Sequence, residues 1–266
     1  MTDNDWQRVG GLDPKSLQPA RHLAQNIAQW PARLLHSYMP QEPDNSHLNL
    51  TFEADRCVLA TRHIRRDISM EMRLADLFLQ FREGGVLVSH EMNVEERSPA
   101  QVEAWILVEL LHRDVDRDRF SKDLPYEIKD PIVGDAFDYA PESFTNELRE
   151  LARWYANAAS ALSKIKAKHG LSSEMNCRPQ TLQLDVKIAL DKAQPETGPQ
   201  LTLGFSPGNE RQLEPHFFVI NDGPQQTTLA IGKTVSASEI IRDGGDGEMV
   251  LSFFDDAIGQ ARKHSS

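Results

Sequence analysis

From Phe144 onward the apolar side chains fall at Phe144, Leu148, Leu151, Tyr155, Ala158, Leu162 and Ile165. The steps alternate between four and three residues, which places all seven on one face of a helix. Burying such a face contributes on the order of 10 kcal/mol as an upper bound. Pro141 and Glu142 open this helix. Lys164, Lys166, Lys168 and His169 close it before Gly170, so each charge matches the pole of the helix dipole beside it. After it, Leu182, Leu184, Val186, Ile188 and Leu190 alternate with Thr181, Gln183, Asp185, Lys187 and Ala189, the period-two pattern of a half-buried strand.

The same two periods divide the rest of the chain. Residues 1–15 read as a frayed, polar lead-in. Ala20, Leu23, Ile27, Trp30 and Leu34 predict a helix with a kink or break at Pro31. Alternating runs near Leu48–Phe52, Cys57–Arg62, Ile68–Leu74, Leu77–Phe81 and Val86–Met92 predict a five-stranded antiparallel meander. Ser98-Pro99-Ala100-Gln101 is a capping box for a helix that is apolar on nearly every side and therefore expected to be covered on two faces. His112–Asp130 mixes both charge signs and reads as a solvated connection holding at most one short strand. Beyond the Pro195 break, strands are expected at Leu201–Phe205, His216–Ile220 and Thr227–Ile231, the last two joined over Asp222-Gly223-Pro224. Ser236–Glu239 is a second capping box, and Val250, Phe254, Ala257, Ile258 and Ala261 mark a closing helix. The expected architecture is α+β. Antiparallel sheet is packed by helices near 17–39, 99–112, 141–169 and 249–264, in one composite domain over 16–266 with halves of about 16–130 and 131–266.

Composition narrows the partners. A chain of 266 residues with a net charge of −11 lacks the basic footprint that nucleic acid or an anionic membrane requires. No apolar run approaches the roughly 18 residues of a membrane span, and the polar start is not a secretory signal. Cys57 and Cys177 are the two cysteines, too few for a disulfide scaffold, so two free thiols in a cytoplasmic protein are expected.

Several motif fragments fail on spacing. His90-Glu91 begins like a zinc-protease helix, but Val94 stands where the second His belongs. His112-Arg113-Asp114 lacks the Asn of a kinase loop. Asp243-Gly244-Gly245-Asp246-Gly247 lacks the alternating ligands of a calcium loop and reads as a turn. No metal site and no specific cofactor follow from the sequence.

A looser set remains. Cys177, Arg178 and Gln180 occupy a polar loop ahead of the strand that carries Asp185, and His216 opens a later strand; His47 opens the first strand of the meander. Arg178 could lower the pKa of the Cys177 thiol, against the plainer reading of a half-buried structural thiol. Asp185 lies between Gln183 and Lys187 and reads as solvated, and His216 and His47 as edge-of-core histidines. Strand direction places the Cys177 loop and the start of the His216 strand at one end of a sheet. Arg178 and His216 would then line a locally positive pocket for a carboxylate- or phosphate-bearing small molecule.

The segments His47-Leu48-Asn49-Leu50-Thr51-Phe52, Arg97-Ser98-Pro99-Ala100-Gln101-Val102, Pro141 through Ile165, Cys177-Arg178-Pro179 ahead of Asp185, His216 and the closing helix follow in a characteristic order. In that order the chain resembles an uncharacterised bacterial domain-of-unknown-function family over most of residues 16–264. In that family the Cys-x-Pro segment runs into a His and an aromatic-Gly-Ser stretch; here Gln180-Thr181-Leu182-Gln183 intervenes. Where the family has Glu and a Gly-Phe-Trp-Pro-like run after its later His, this chain has Phe217-Phe218-Val219-Ile220. The resemblance implies a fold and a bacterial source, but no activity. Two functions follow as expectations: a binding domain for a small molecule or partner, or a hydrolase- or transferase-like enzyme using Cys177, Asp185 and His216.

Overall fold

The computed structural model describes residues 6–171, 173–190, 198–221 and 233–264. The fold is α+β, built on antiparallel strand pairing. The chain divides into two compact units, and the division falls inside the long helix, between Ala152 and Arg153. The N-terminal unit comprises Pro19–Ala152 with Cys177–Leu182; the C-terminal unit comprises Met1–Gln18, Arg153–Asn176 and Gln183–Ser266.

In the N-terminal unit the expected meander forms from β1 (Leu50–Glu53), β2 (Val58–Ala60), β3 (Ile68–Arg73), β4 (Leu79–Glu83) and β5 (Val86–Leu87), each antiparallel to the next. Register sets Phe52, Leu59, Met72 and Leu79 in one row on the core face. On the opposite face Glu71 is fully buried beneath arginines. Arg56 forms a forked pair with it, and Arg82 bonds Glu53 at 2.7 Å.

Helix α1 (Gln18–Tyr38) runs through Pro31 without a break. Proline removes its own N–H and crowds the carbonyl four residues back, but twelve buried residues hold the turns on either side in place. Helix α2 (Pro99–His112) starts on the complete Ser98/Gln101 capping box. It is covered on one side only: Val102, Ile106 and Leu110 are buried, while Val108 and Leu111 are 46% and 56% exposed. Its buried acid, Glu109, is held by Arg113 at 2.7 Å, whose guanidinium lies 4.8 Å over Phe81 and reaches Glu83.

The connection after α2 holds no strand and is largely solvent-exposed, as expected, but it is not loose. Apart from a 3-10 turn at Arg117–Arg119 it is irregular, yet it zips along α1 in the reverse direction. Tyr38 hydroxyl donates to the Asp116 carbonyl, Ser121 N–H to Ser37 Oγ, and Arg33 Nε to the Lys122 carbonyl. Further along, Tyr126 hydroxyl donates to Gln29 Oε1 and Ile132 N–H to Asn26 Oδ1. A long irregular segment can stay packed because its polar groups are satisfied by this stripe of side chains.

In the C-terminal unit β7 (Gln183–Ala189), β8 (Gln200–Ser206), β9 (His216–Asn221) and β10 (Lys233–Ser236) form an antiparallel sheet. The expected strand at Thr227–Ile231 and its turn at Asp222-Gly223-Pro224 lie outside the described residues, as does the Pro195 break. One sheet face carries the aromatic core. Tyr155 of α3 (Thr145–His169) meets Phe205 edge-on at 5.2 Å, Phe205 meets Phe217 at 5.3 Å, and Phe217 meets Phe254 of α5 (Glu248–His264) at 6.0 Å. At the end of α3, Lys168 and His169 both pair with Asp255 of α5, at 2.6 and 2.8 Å. The lead-in is tied down from Trp6 on: the Trp6 ring lies tilted against Phe217 at 6.2 Å, and Gln7 exchanges two backbone–side-chain hydrogen bonds with buried Asn157. Short α4 (Ala237–Arg242) begins on the second capping box. No helix among the described residues is long and apolar enough to cross a membrane.

Candidate functional site

The face of the C-terminal sheet turned away from the aromatic core carries polar residues that the alternation put there: Asp185 on β7, Thr202 and Ser206 on β8, His216 on β9. All four are buried, Asp185 to 2% and His216 to 5% exposure. The solvated position expected for Asp185 is therefore not what the fold supplies. Register puts Asp185 opposite Gly204 and Phe218, and Ser206 opposite His216. With strands about 4.8 Å apart and about 3.4 Å per residue along them, Asp185 and His216 stand about 12 Å apart between Cα atoms. An acid–base pair needs hydrogen-bond reach, so these two residues cannot act as one directly. The Phe218 ring fills the intervening surface over Gly204.

His216 itself is well defined chemically. Its Nδ1 lies 3.1 Å from the Glu214 carbonyl, a contact that only an Nδ1–H can make favourable, so Nε2 carries the lone pair. Burial holds its pKa below the ordinary value, with the Glu214 carbonyl pulling the other way. Ser206 Oγ accepts the Gly208 N–H at 3.3 Å, and among the described residues no side-chain hydrogen bond joins Ser206 to His216.

The Cys177 loop belongs to the N-terminal unit. Cys177 is fully buried in β6 (Asn176–Arg178), beside β1, whereas Arg178 and Gln180 are exposed. Two α1 glutamines hold the loop backbone: Gln29 Nε2 donates to the Pro179 carbonyl at 2.9 Å and Gln25 Nε2 to the Gln180 carbonyl. Leu182 N–H returns to the Arg178 carbonyl at 2.7 Å, with Leu182 itself left-handed at φ 56°. The backbone carbonyls of this loop are thus spent on anchoring it. Cys57 is also a free thiol; burial raises its pKa to about 12, the opposite of an activated nucleophile. His47 is buried as well, its Nδ1 accepting the Glu42 N–H at 3.1 Å.

Open space in the C-terminal unit lies elsewhere, in a cavity of about 600 Å³ lined by Arg8, Gly10, Gly11, Arg153, Gly244 and Gly245, with Val9 and Ile241 as its apolar part. Two turns build it. Gly10 has φ 89°, and a side chain there would press on Ile241. The Asp243–Gly247 stretch is the turn between α4 and α5: Gly245 N–H closes α4 on the Ile240 carbonyl, and Asp246 Oδ1 accepts from Glu248 N–H at 3.1 Å. That carboxylate is engaged with the start of α5, where the helix dipole favours it. The cavity wall thus combines glycine backbone, the apolar Val9 and Ile241, and the two arginines Arg8 and Arg153.

Comparison with known proteins adds nothing to this geometry. No family model, curated protein or solved structure matches the chain. Sequence reasoning missed Arg8 and Arg153, which are far apart in the chain and sit in no motif. The α1 stripe His22, Asn26, Gln29, Arg33 was visible in principle, since it repeats at helical spacing.

Proposed function

We propose that the protein binds a small anionic molecule, taking its carboxylate or phosphate between Arg8 and Arg153 in the C-terminal cavity. The supporting observation is the lining itself: two guanidinium groups beside four glycines, in a chain whose net charge is −11. Glycine lets a ligand approach the backbone closely, and guanidinium matches the oxygens of a carboxylate or phosphate in a forked geometry. A cavity of about 600 Å³ suits a metabolite-sized ligand. The enzyme reading with Cys177, Asp185 and His216 is disfavoured by the separation of Asp185 from His216 and the burial of Cys177. Two free thiols suit a reducing compartment such as the cytoplasm.

The test is thermal shift with phosphate, citrate and a sugar phosphate, each against chloride at matched ionic strength, alongside native mass spectrometry of the purified protein. At least one polyvalent anion should raise the midpoint, and Arg8→Gln should abolish that rise. Equal shifts in wild type and Arg8→Gln, or no shift with any of the three, would overturn the reading.

A further inference from the structure

A second cavity, of about 500 Å³, lies wholly within the N-terminal unit, where the end of α1 meets the end of α2 and the segment following it. Its chemistry differs from that of the arginine cavity. Ile64 and Val115 are buried and form an apolar floor; Leu111 and the Tyr38 ring add apolar wall. Its polar lining is balanced, with two cations, Arg65 and Arg119, and two carboxylates, Asp114 and Asp116.

Local structure explains the arrangement. Asp114 ends α2 in the left-handed conformation at φ 53°, and Val115 N–H returns to the Leu110 carbonyl at 3.0 Å. This cap turns Val115 inward and leaves the Asp114 side chain fully exposed at the mouth. Tyr38 is held by its hydroxyl on the Asp116 carbonyl at 2.9 Å, and Arg119 lies over its ring at 5.5 Å while donating to the Ser37 carbonyl. Arg65 reaches Asp114 at 3.4 Å, an exposed pair of the kind that contributes little on its own. Opening it to a ligand that offers both charges costs correspondingly little.

We infer that this cavity binds a small zwitterion with an apolar arm, of the class of a free apolar α-amino acid. The carboxylate meets Arg65 and Arg119, and the arm covers Ile64 and Val115; the ammonium meets Asp114 and the second oxygen of Asp116, whose Oδ1 accepts the Asp118 N–H at 3.2 Å. A simple anion would also face the two aspartates and a simple cation the two arginines, so each gains only one of the two charge matches and suffers the opposing repulsion. A purely apolar molecule would desolvate the charged mouth without replacing its water.

The experiment is isothermal calorimetry on the full chain with L-leucine and L-phenylalanine. The controls are N-acetyl-leucine, leucinamide and glycine, which remove the ammonium, the carboxylate and the arm in turn. Either amino acid should bind at least about tenfold more tightly than each control. Arg65→Gln and Asp114→Asn should each weaken binding by a similar factor with the thermal midpoint unchanged, both side chains being solvent-accessible, and Arg8→Gln should leave it intact. Binding of N-acetyl-leucine or leucinamide as tight as that of leucine would overturn the zwitterion assignment. Unaltered affinity in Arg65→Gln and Asp114→Asn would remove the ligand from this cavity, and absence of heat with either amino acid at about 10 mM would end the proposal.

Discussion

Gly204→Ala is the sharpest single perturbation of the C-terminal sheet. Gly204 sits mid-strand in β8, opposite Asp185 and Phe218. A methyl group built there would stand 2.7 Å from the Leu184 carbonyl oxygen and 2.8 Å from Phe218 Cε1, well inside van der Waals contact. The ring can swing aside, but Leu184 is backbone paired into β7, so that contact yields only if the two strands part. Overpacking of this kind costs about 1–3 kcal/mol, and displacing part of a buried Phe, worth up to about 3 kcal/mol, adds to it. Against this stands the gain of about 0.5–1 kcal/mol from replacing glycine in a strand. The net expectation is a loss of about 2–3 kcal/mol. Urea unfolding followed by far-ultraviolet circular dichroism would read it as a lowered midpoint with the slope unchanged. Adding Phe218→Leu should relieve the ring contact but not the carbonyl contact, so the cost of Gly204→Ala should shrink without vanishing. The sign is diagnostic. An unchanged or raised midpoint for Gly204→Ala would mean that Phe218 does not lie over Gly204 and that the strand register is wrong.

Two further outcomes are expected. Leu151→Asp places a carboxylate at a fully buried position of α3 and should cost more than about 4 kcal/mol, seen as loss of the cooperative melt; a wild-type melt would refute the assignment of that helix face. His47 and His216 both have pKa values held below the ordinary histidine value by burial, with His36 and Arg62 adding to the effect at His47. The unfolded chain therefore binds more protons than the folded one below about pH 6.5, so stability is full above that point and falls as the medium is acidified. Urea midpoints between pH 7 and 5.5 should decline in wild type and decline less in His47→Gln; parallel curves would refute a role for His47.

The elements themselves were legible because their causes are local. Six of the seven stripe positions, Leu148 to Ile165, are buried, while Phe144 is half-buried in the 3-10 turn ahead of the helix; both capping boxes form with both of their hydrogen bonds. Helices 99–112 and 18–38 fall where periodicity and caps placed them, since those signals act within one or two turns. Errors arise where an element's neighbour decides its surroundings. The composition of α2 promised cover on two faces, but its outer face, with Val108 and Leu111, has solvent where a second layer was expected. The same spacing rule that found apolar stripes would have picked out His22, Asn26, Gln29 and Arg33 on α1, yet nothing local says what such a polar stripe will hold.

Period, caps and turn residues determined the α+β class and the location of most helices and strands, because each is an energy between residues a few positions apart. Tertiary structure alone decided which polar residues are buried and which share a cavity. Asp185 and His216 lie on the same sheet face as alternation requires, but β8 stands between them, and strand order fixes the resulting 12 Å gap at about two strand spacings across and two residues along. Arg8 and Arg153 come together only because the lead-in folds back onto the unit that holds the second part of α3. Such encounters are set by long-range packing, in which every element's position depends on all the others, and no short stretch of chain carries that information.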